Sequence, residues 1–302
     1  MQQRVTAPLA STDPPLLVSW GELLWDLFPD GPRLGGGAAN VAYHLARLGN
    51  RAALVSRVGA DDLGRAAVER LAAAGVDTRA IDVDAEAPTG TVMVAIEQGE
   101  PRYTIGQRVA WDRIRFDERV EGLLQSAQAL CFSTLAQRTP VAARALLAAL
   151  ERAPSRCQRI CDLNLRPPFI DRATVEKLAS LAHAVKLNTS EAASLQTLFG
   201  VPDAVAWLFE RGAELVALTR GSEGSTLFFA GGRSDREADA FPATGGDAVG
   251  AGDAFTAALA HHLVRGSALA VLHEHASRYA GYVASQPGAM PQIPVELLLP
   301  SR

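Results

Sequence analysis

Short apolar runs that resemble β-strands alternate with helical patterns along most of this chain, and no other feature limits its possible folds as strongly. The alternation begins with LLVSW at 16–20, AANVAYHLARLG at 38–49, AALVSRVG at 52–59 and LGRAAVERLAAAG at 63–75. This order is typical of βαβ units, in which a helix connects two parallel strands. The sequence therefore predicts an α/β fold with a doubly wound, mostly parallel sheet.

The alternation continues toward the C-terminus. We expect further strands near 129–134, 159–165, 184–188 and 214–219, with helices near 140–152, 172–183 and 190–199. In the first helical pattern Val41, Leu45 and Leu48 recur at helical spacing. Gly49 then suits the left-handed residue that closes many helices.

Two segments interrupt the alternation. TGTVMVAIEQGEPRYTIG at 89–106 has the pattern of a β-hairpin, and GELLWDLF at 21–28 extends the first strand beyond ordinary length. We interpret them as a small β-sheet lid with strands at about 21–30 and 88–107. No linker, repeat or low-complexity stretch divides the chain, so residues 15–302 are predicted to form a single domain after a flexible tail at 1–14.

Composition limits the class of partner. With 302 residues, 48% of them hydrophobic, the chain can bury a large core. Its net charge is −4 and its Lys and Arg residues do not cluster, which argues against nucleic acid and membrane surfaces as partners. No apolar run approaches the roughly 20 residues of a membrane span. Cys131, Cys157 and Cys161 form no C-x-x-C pair and are typical of reduced interior cysteines, so we expect a cytoplasmic protein that acts on small molecules.

The stretch TGGDAVGAGDAF at 244–255 combines four glycines with two acids before a helical pattern. It lacks the lysine of a P-loop. Glycine turns at helix N-termini nonetheless present backbone N–H groups to anions, so a phosphoryl group is the expected ligand. Asp253 has two interpretations: an acid that stabilises the helix N-terminus, or a base for an incoming hydroxyl group. The glycine turn is longer than a cap needs, which favours the second.

Two further segments place polar residues where strands end. CDLNLRPP at 161–168 puts Asp162, Asn164 and Arg166 on one predicted strand face, which lines a binding crevice in a covered sheet or faces water at a sheet edge. In KLNTSEAASL, Asn188 and Glu191 have the spacing of a capping box. They also suit a Mg²⁺ ion held through water, if phosphates lie nearby.

Other glycine-rich and histidine-containing segments carry weaker signals. LGGGAAN at 34–40 lacks dinucleotide-binding spacing, but its glycines and Asn40 suit a small polar ligand or a tight turn. TRGSEGSTLFF at 219–229 is predicted to be a hairpin turn. Histidine spacing along the helical patterns favours no metal site and predicts surface positions for His261, His262, His273 and His275.

Together these stretches resemble the ribokinase-like, PfkB-type carbohydrate kinases from Gly21 to Pro291. The family signature D-T-x-G-A-G-D-x-F is similar to DAVGAGDAF, where Ala248 stands in place of threonine. Resemblance to the fructokinase branch extends to the segments GELLWD, LGGGAAN, PRYTI, VAWD, STLAQR, DLNLRPPF and KLN. The resemblance implies ATP, Mg²⁺ and a sugar as ligands.

The resemblance also implies roles for individual residues. Asp253 would be the base that takes the hydroxyl proton, and the anion hole would comprise Gly250, Ala251 and Gly252. Arg166 would lie beside the transferred phosphate, and the sugar would be held by Asp26, Asn40 and backbone near Gly36. Asn188 and Glu191 would hold the waters of a Mg²⁺ ion. The nucleotide would be bordered by Thr219, Gly221 and Gly224, and Asp247 would contact a monovalent cation such as K⁺. Because Ala248 replaces the threonine of the family signature next to Asp247, the resemblance supports the cation role of Asp247 less strongly.

The sequence leaves three substrates open for the hydroxyl group that accepts the phosphate. It also leaves open a sugar-binding protein without catalysis. Fructose is favoured, while 2-keto-3-deoxygluconate or a nucleoside is the alternative, since Arg102, Tyr103 and Arg138 could meet a carboxylate. A sugar-binding sensor that has lost catalysis is disfavoured because the helix-start acid and its glycines are all present. Lids of this family often pair between subunits, so a homodimer through the lid is expected.

Overall fold

The structure, a computed structural model, describes residues 13–97, 100–242 and 245–298. Side chains of 94–97 and 100–103 lie outside that description. Within it the strands are β1 (Leu16–Trp20), β2 (Leu24–Phe28), β3 (Gly31–Gly35), β4 (Arg51–Gly59), β5 (Ile81–Asp84), β6 (Gly90–Glu97), β7 (Glu100–Ile105), β8 (Ala129–Ser133), β9 (Gln158–Asp162), β10 (Ala184–Asn188), β11 (Leu215–Thr219), β12 (Ser225–Phe229) and β13 (Gly232–Arg236).

The helices connect these strands and cover the sheet. They are α1 (Gly37–Arg47), α2 (Asp62–Ala73), α3 (Glu118–Gln125), α4 (Pro140–Arg152), α5 (Arg172–Leu181), α6 (Thr189–Phe199), α7 (Ala204–Glu210), α8 (Ala251–Leu263) and α9 (Leu269–Ala284). Each predicted helix matches an observed one within two residues. None of the helices described is long and apolar enough to cross a membrane.

The large sheet of the described chain has the order β13-β12-β11-β10-β9-β8-β1-β4-β5. From β11 to β5 every neighbouring pair is parallel, whereas β12 and β13 are antiparallel additions at one edge. One face is covered by α1, α8 and α9, and the opposite face by α3 to α7. Because both faces are buried, central strands such as LLVSW and ALCFS are buried at every position. The predicted doubly wound α/β fold is confirmed.

The small sheet has the order β3-β2-β6-β7 and confirms the predicted lid sheet, although its β2–β6 pair is parallel. The expected extension of the first strand through GELLWDLF is wrong. The chain breaks between β1 and β2 at Gly21, whose φ of 149° departs from the strand conformation. The sequence reading also missed β3, which contains two glycines and a proline and so lacks the alternating pattern of a strand.

The predicted surface positions of four histidines are wrong. His261, His262, His273 and His275 are all at most 8% exposed. His262 Nε2 lies 2.8 Å from His275 Nδ1, and His275 Nε2 lies 2.8 Å from the Leu297 carbonyl oxygen. Burial is the main cause that lowers the pKa of each. His261 and His262 are on α8, which packs between α1, α9 and the sheet and has almost no solvent face. His273 and His275 are on the buried side of α9, where His273 contacts Ser225 and Ser234 of β12 and β13.

Candidate active site

A cavity of about 690 Å³ lies between the lid sheet and the carboxyl ends of β9 and β10. This is where α/β sheets usually bind ligands, and its volume is in the range of small-molecule sites. The structure brings together nine of the predicted site residues as lining residues: Asp26, Gly36, Asn40, Arg166, Asn188, Glu191, Gly250, Gly252 and Asp253. The lining does not include Ala251, Thr219, Gly221, Gly224 or Asp247.

The glycine turn before α8 ends in a left-handed residue. Gly250 is the N-cap with φ 78°, and a Cβ there would lie 2.7 Å from the Ala289 Cα, so only glycine fits. The first backbone N–H groups of any helix lack partners within the helix, and its dipole makes this end positive. The predicted anion-binding turn therefore opens into the cavity at Gly250 and Gly252.

Asp253 is the third residue of α8 and is half-buried, with its side chain at the wall of the cavity. Its Oδ2 accepts a 2.7 Å hydrogen bond from Asn40 Nδ2, which comes from the first turn of α1. Burial raises the pKa of Asp253 to about 7, and the neighbouring Asp162 charge adds to this, while Asn40 and Lys186 oppose it. A carboxyl group with a pKa near neutrality suits proton acceptance at physiological pH.

Beneath the turn lies a buried ion pair between Asp162, which the sequence predicted at the crevice, and Lys186, which sequence reasoning did not assign to the site. Lys186 Nζ is 3.1 Å from both carboxylate oxygens of Asp162, and Thr256 Oγ1 donates to Asp162 Oδ2 at 2.9 Å. A Cβ on Gly252 would lie 2.7 Å from Lys186 Nζ, so the ammonium group is directly behind the turn. The sequence signal that could have identified this pair is a lysine within the otherwise apolar strand AVKLN.

The loop after β9 differs from the predicted strand face. The strand ends at Asp162, and Asn164 has a left-handed φ of 43°, which asparagine tolerates better than most residues. Asp162, Asn164 and Arg166 still line the cavity. Arg166 is half-exposed, and its Nη1 donates to the Leu165 carbonyl oxygen at 3.2 Å. The three polar side chains thus meet through the loop and not through strand alternation.

Asn188 and Glu191 form the capping box of α6. Asn188 Oδ1 accepts from the Glu191 N–H at 2.9 Å, and Glu191 Oε2 accepts from the Asn188 N–H at 2.8 Å. Glu191 Oε1 accepts from the Leu165 N–H at 3.2 Å. Both Glu191 oxygens therefore have protein partners, and no group of three metal-ligating side chains occurs in the described chain. The donor set fits an ion that keeps its own waters, and it does not fit a direct cage.

Two acids lie where the lid approaches the glycine turn, Asp26 on the lid and Asp247 in the turn. Asp26, on β2, lines the cavity, and burial raises its pKa to about 6, with a further contribution from the charge of Asp247. A Cβ on Gly35 would lie 2.3 Å from Asp26 Oδ2, so the glycine makes room for this carboxyl group. Asp247 Oδ2 is 3.3 Å from Arg33 Nη1 of the lid strand β3. Its role toward a monovalent cation stays a prediction.

Arg138 does not line the cavity and has protein partners, which argues against the predicted contact with a substrate carboxylate. Its side chain is 3% exposed, its Nε donates to Asp112 Oδ1 at 2.6 Å, and its Nη2 donates to the Gly106 carbonyl oxygen at 2.5 Å. Its guanidinium also stacks on Trp111 at 3.8 Å. The side chains of Arg102 and Tyr103 lie outside the described residues.

Thr219 is the last residue of β11, and Gly221 and Gly224 lie in the connection to β12, as the hairpin interpretation predicted. Gly224 has φ 88°, and a Cβ there would lie 2.0 Å from the Arg236 carbonyl oxygen, so the turn itself requires this glycine. The nucleotide role of the three residues stays a prediction.

Comparison with known proteins agrees with this geometry. The family described as pfkB family carbohydrate kinase matches residues 31–296. Fructokinase of Salmonella typhimurium is 30% identical over 252 residues, or 79% of this chain and 81% of its own. The 2-dehydro-3-deoxygluconokinase of Thermoproteus tenax is 32% identical over 233 residues, or 73% and 70% of the two chains.

Among solved structures, fructokinase with bound ATP from Xylella fastidiosa has the same fold, with a TM-score of 0.82 and 22% identity over 94% of this chain and 95% of its own. The family match spans most of the sequence and includes the glycine turn and Asp253. The chain therefore belongs to the pfkB family of carbohydrate kinases and is fructokinase-like.

Proposed function

We propose that this protein transfers the γ-phosphate of ATP to a hydroxyl group of fructose or a close ketohexose. The observation that carries the proposal is Asp253, which lines the cavity at the N-terminus of α8 and accepts a hydrogen bond from Asn40. Phosphoryl transfer to an alcohol needs a proton acceptor beside a phosphate-binding group, and a carboxyl group next to a helix N-terminus supports the proposal.

In the proposed mechanism Asp253 takes the proton of the sugar hydroxyl as its oxygen attacks the γ-phosphorus, and ADP leaves. Backbone N–H groups of Gly250, Ala251 and Gly252 stabilise the charge on the transferred group, and Arg166 lies beside it. Asn40 holds Asp253 Oδ2, so that Oδ1 is free for the proton. The lid excludes water, the competing acceptor.

We further propose that the sugar is bound by Asp26, Asn40 and the backbone near Gly36. Asn40 Oδ1 is buried without a partner in the described structure, and a sugar hydroxyl would supply its missing donor. Around the triphosphate we assign the water-mediated Mg²⁺ contacts to Asn188 and Glu191, the nucleotide contacts to Thr219, Gly221 and Gly224, and a K⁺ contact to Asp247. Bound Mg²⁺ would neutralise phosphate charge.

The charges of the cavity favour a neutral acceptor. Among the described lining residues, five are acidic, namely Glu22, Asp26, Asp162, Glu191 and Asp253, and two are basic, namely Arg166 and Lys186. Lys186 is already paired with Asp162. An acid sugar would therefore meet an excess of negative charge. The similarity to a 2-dehydro-3-deoxygluconokinase makes that acid sugar the second candidate.

A coupled assay across fructose, ribose, 2-keto-3-deoxygluconate and adenosine tests the substrate. We expect fructose to have the largest kcat/KM, because it provides several hydroxyl donors and no charge. Arg138 does not provide the cation that a carboxylate would need, since Asp112 already neutralises it. Preferential turnover of the acid sugar or of adenosine would contradict the assignment at the substrate level. The same assay without acceptor corrects for ATP hydrolysis.

The pH dependence tests the base. Only ionised Asp253 can accept a proton, and its pKa is raised to about 7. We therefore expect kcat/KM for fructose to rise with pH through about 7 and then level, since this parameter reports the pKa of the free enzyme. A limb near the ordinary aspartate pKa of about 4 would contradict the raised value. Doubling the concentration of the coupling enzymes at each pH shows whether the rise in rate comes from the kinase or from the coupling enzymes.

Two further assignments extend the proposal. We propose a cytoplasmic location, which the three buried free cysteines support. We also propose a homodimer through the lid, because β3 and β7 are the edge strands of the small sheet. Sedimentation at several protein concentrations tests the second assignment, and a monomer at all of them would contradict it.

A further inference from the structure

A carboxyl group without an assigned role lies next to the proposed base. Glu22 is in the break between β1 and β2 and is 1% exposed. Its Oε1 accepts from the Gly37 N–H at 3.0 Å and lies 3.5 Å from Asn164 Nδ2. Its Oε2 has no hydrogen-bond partner among the residues that the structure describes.

The contacts of Glu22 converge with those of Asp253 at one point. A Cβ on Gly37 would lie 2.9 Å from Glu22 Oε1, 3.1 Å from Asn164 Nδ2 and 3.3 Å from Asp253 Oδ1. Gly37 is the first residue of α1, whose N-cap Gly36 provides no side-chain cap. Glu22 therefore replaces the missing cap from a distant part of the chain.

The helix that Glu22 holds carries the partner of the base. Asn40 is in the first turn of α1, and its backbone N–H donates to the Gly36 carbonyl oxygen at 2.8 Å. Its side chain donates to Asp253. Gly36, Gly37 and Asn40 all line the cavity, so a shift of this turn moves the sugar-binding surface and the donor to Asp253 together.

We propose that Glu22 is a positioning residue of the active site, which fixes the first turn of α1 and thereby orients Asn40 toward Asp253 and the sugar. The inference rests on the proposed function. The hydrogen bond to Gly37 requires the length of glutamate and an acceptor oxygen, and it does not require a negative charge. Burial raises the pKa of Glu22 to about 7, so the wild-type side chain is itself close to half neutral at that pH.

Two variants separate reach from charge. Glu22→Gln keeps the length and one acceptor oxygen, whereas Glu22→Asp keeps the charge but is one methylene shorter. We expect Glu22→Asp to raise the fructose Kd in calorimetry about tenfold or more and to lower kcat at least as much, because small misplacement of catalytic groups is costly. We expect Glu22→Gln to stay within about threefold of wild type. The KM for ATP should change little in both.

The control is Asp117→Ala, which removes the N-cap of α3. Asp117 accepts a hydrogen bond from the Val120 N–H, and it does not line the cavity. This variant should lower Tm and leave the kinetic constants and fructose Kd unchanged. Normal constants in Glu22→Asp would overturn the proposal, and so would a Glu22→Gln variant that is as impaired as Glu22→Asp. The fructose Kd is measured without turnover, so it tests Glu22 even if Asp253 is found not to be the base.

Discussion

Replacing Asp253 with asparagine is expected to reduce kcat for fructose by about 10²- to 10⁴-fold, the usual contribution of a general base. Asparagine has nearly the same shape and can still accept the hydrogen bond from Asn40 Nδ2. It cannot accept the hydroxyl proton. Fructose affinity should therefore stay within about tenfold of wild type, because a single acceptor contributes about 1 kcal/mol. Near-normal turnover would show that Asp253 is not the base and would leave only its role as an acid at the helix N-terminus.

The same variant has an expected effect on stability that a helix-terminal role does not predict. Since the folded pKa of Asp253 is raised to about 7, its contribution to stability is present at low pH and is lost as pH rises through 7. The wild type must then bury an ionised carboxylate, and the asparagine variant does not. Denaturant unfolding should therefore show Asp253→Asn at least as stable as wild type at pH 8.

Asp62→Asn is the matched control for both measurements. It removes an acid from the first turn of α2, where Asp62 is exposed. Loss of this charge near a helix N-terminus should cost roughly 0.3 to 1 kcal/mol and leave turnover unchanged. If Asp253→Asn loses stability at pH 8 as Asp62→Asn does, and keeps its turnover, the assignment of Asp253 as the base is contradicted.

Removing Mg²⁺ is expected to abolish turnover. Acidic residues exceed basic ones around the cavity, so the charge of ATP must be reduced before the triphosphate can approach Asp253. Excess chelator should reduce the rate to background, at least about 10²-fold, and added Mg²⁺ should restore it. Full activity in excess chelator would leave Asn188 and Glu191 as a helix cap only.

A pair of cap variants links this requirement to the proposed ion contacts. Asn188→Ala removes the side-chain cap of α6, and Asp203→Ala removes that of α7 outside the cavity. Each should cost about 1 kcal/mol of stability. Only Asn188→Ala should raise the Mg²⁺ concentration needed for half-maximal rate. Equal Mg²⁺ requirements in the two variants would contradict a role for Asn188 near the ion.

Local patterns determined the architecture and much of the candidate site. Alternating strands and helices are encoded by hydrophobic spacing within short windows, so the parallel sheet and most element bounds followed from the sequence. The glycine turn before α8 also has a local signal, because the left-handed conformation of Gly250 favours glycine by itself, although the close contact with Ala289 adds to that requirement. Asp253 follows directly in the chain, and its place at the helix start was therefore predictable.

Tertiary packing decided what these residues contact and which charges they carry. Glu22 meets Gly37 from another element, and Lys186 and Asp162 pair between two strands. The partners in these contacts are not specified by local spacing. The raised pKa of Asp253 and the burial of His275 depend on desolvation by many distant atoms. Desolvation is set by the summed packing of the whole fold, and sequence spacing does not report it.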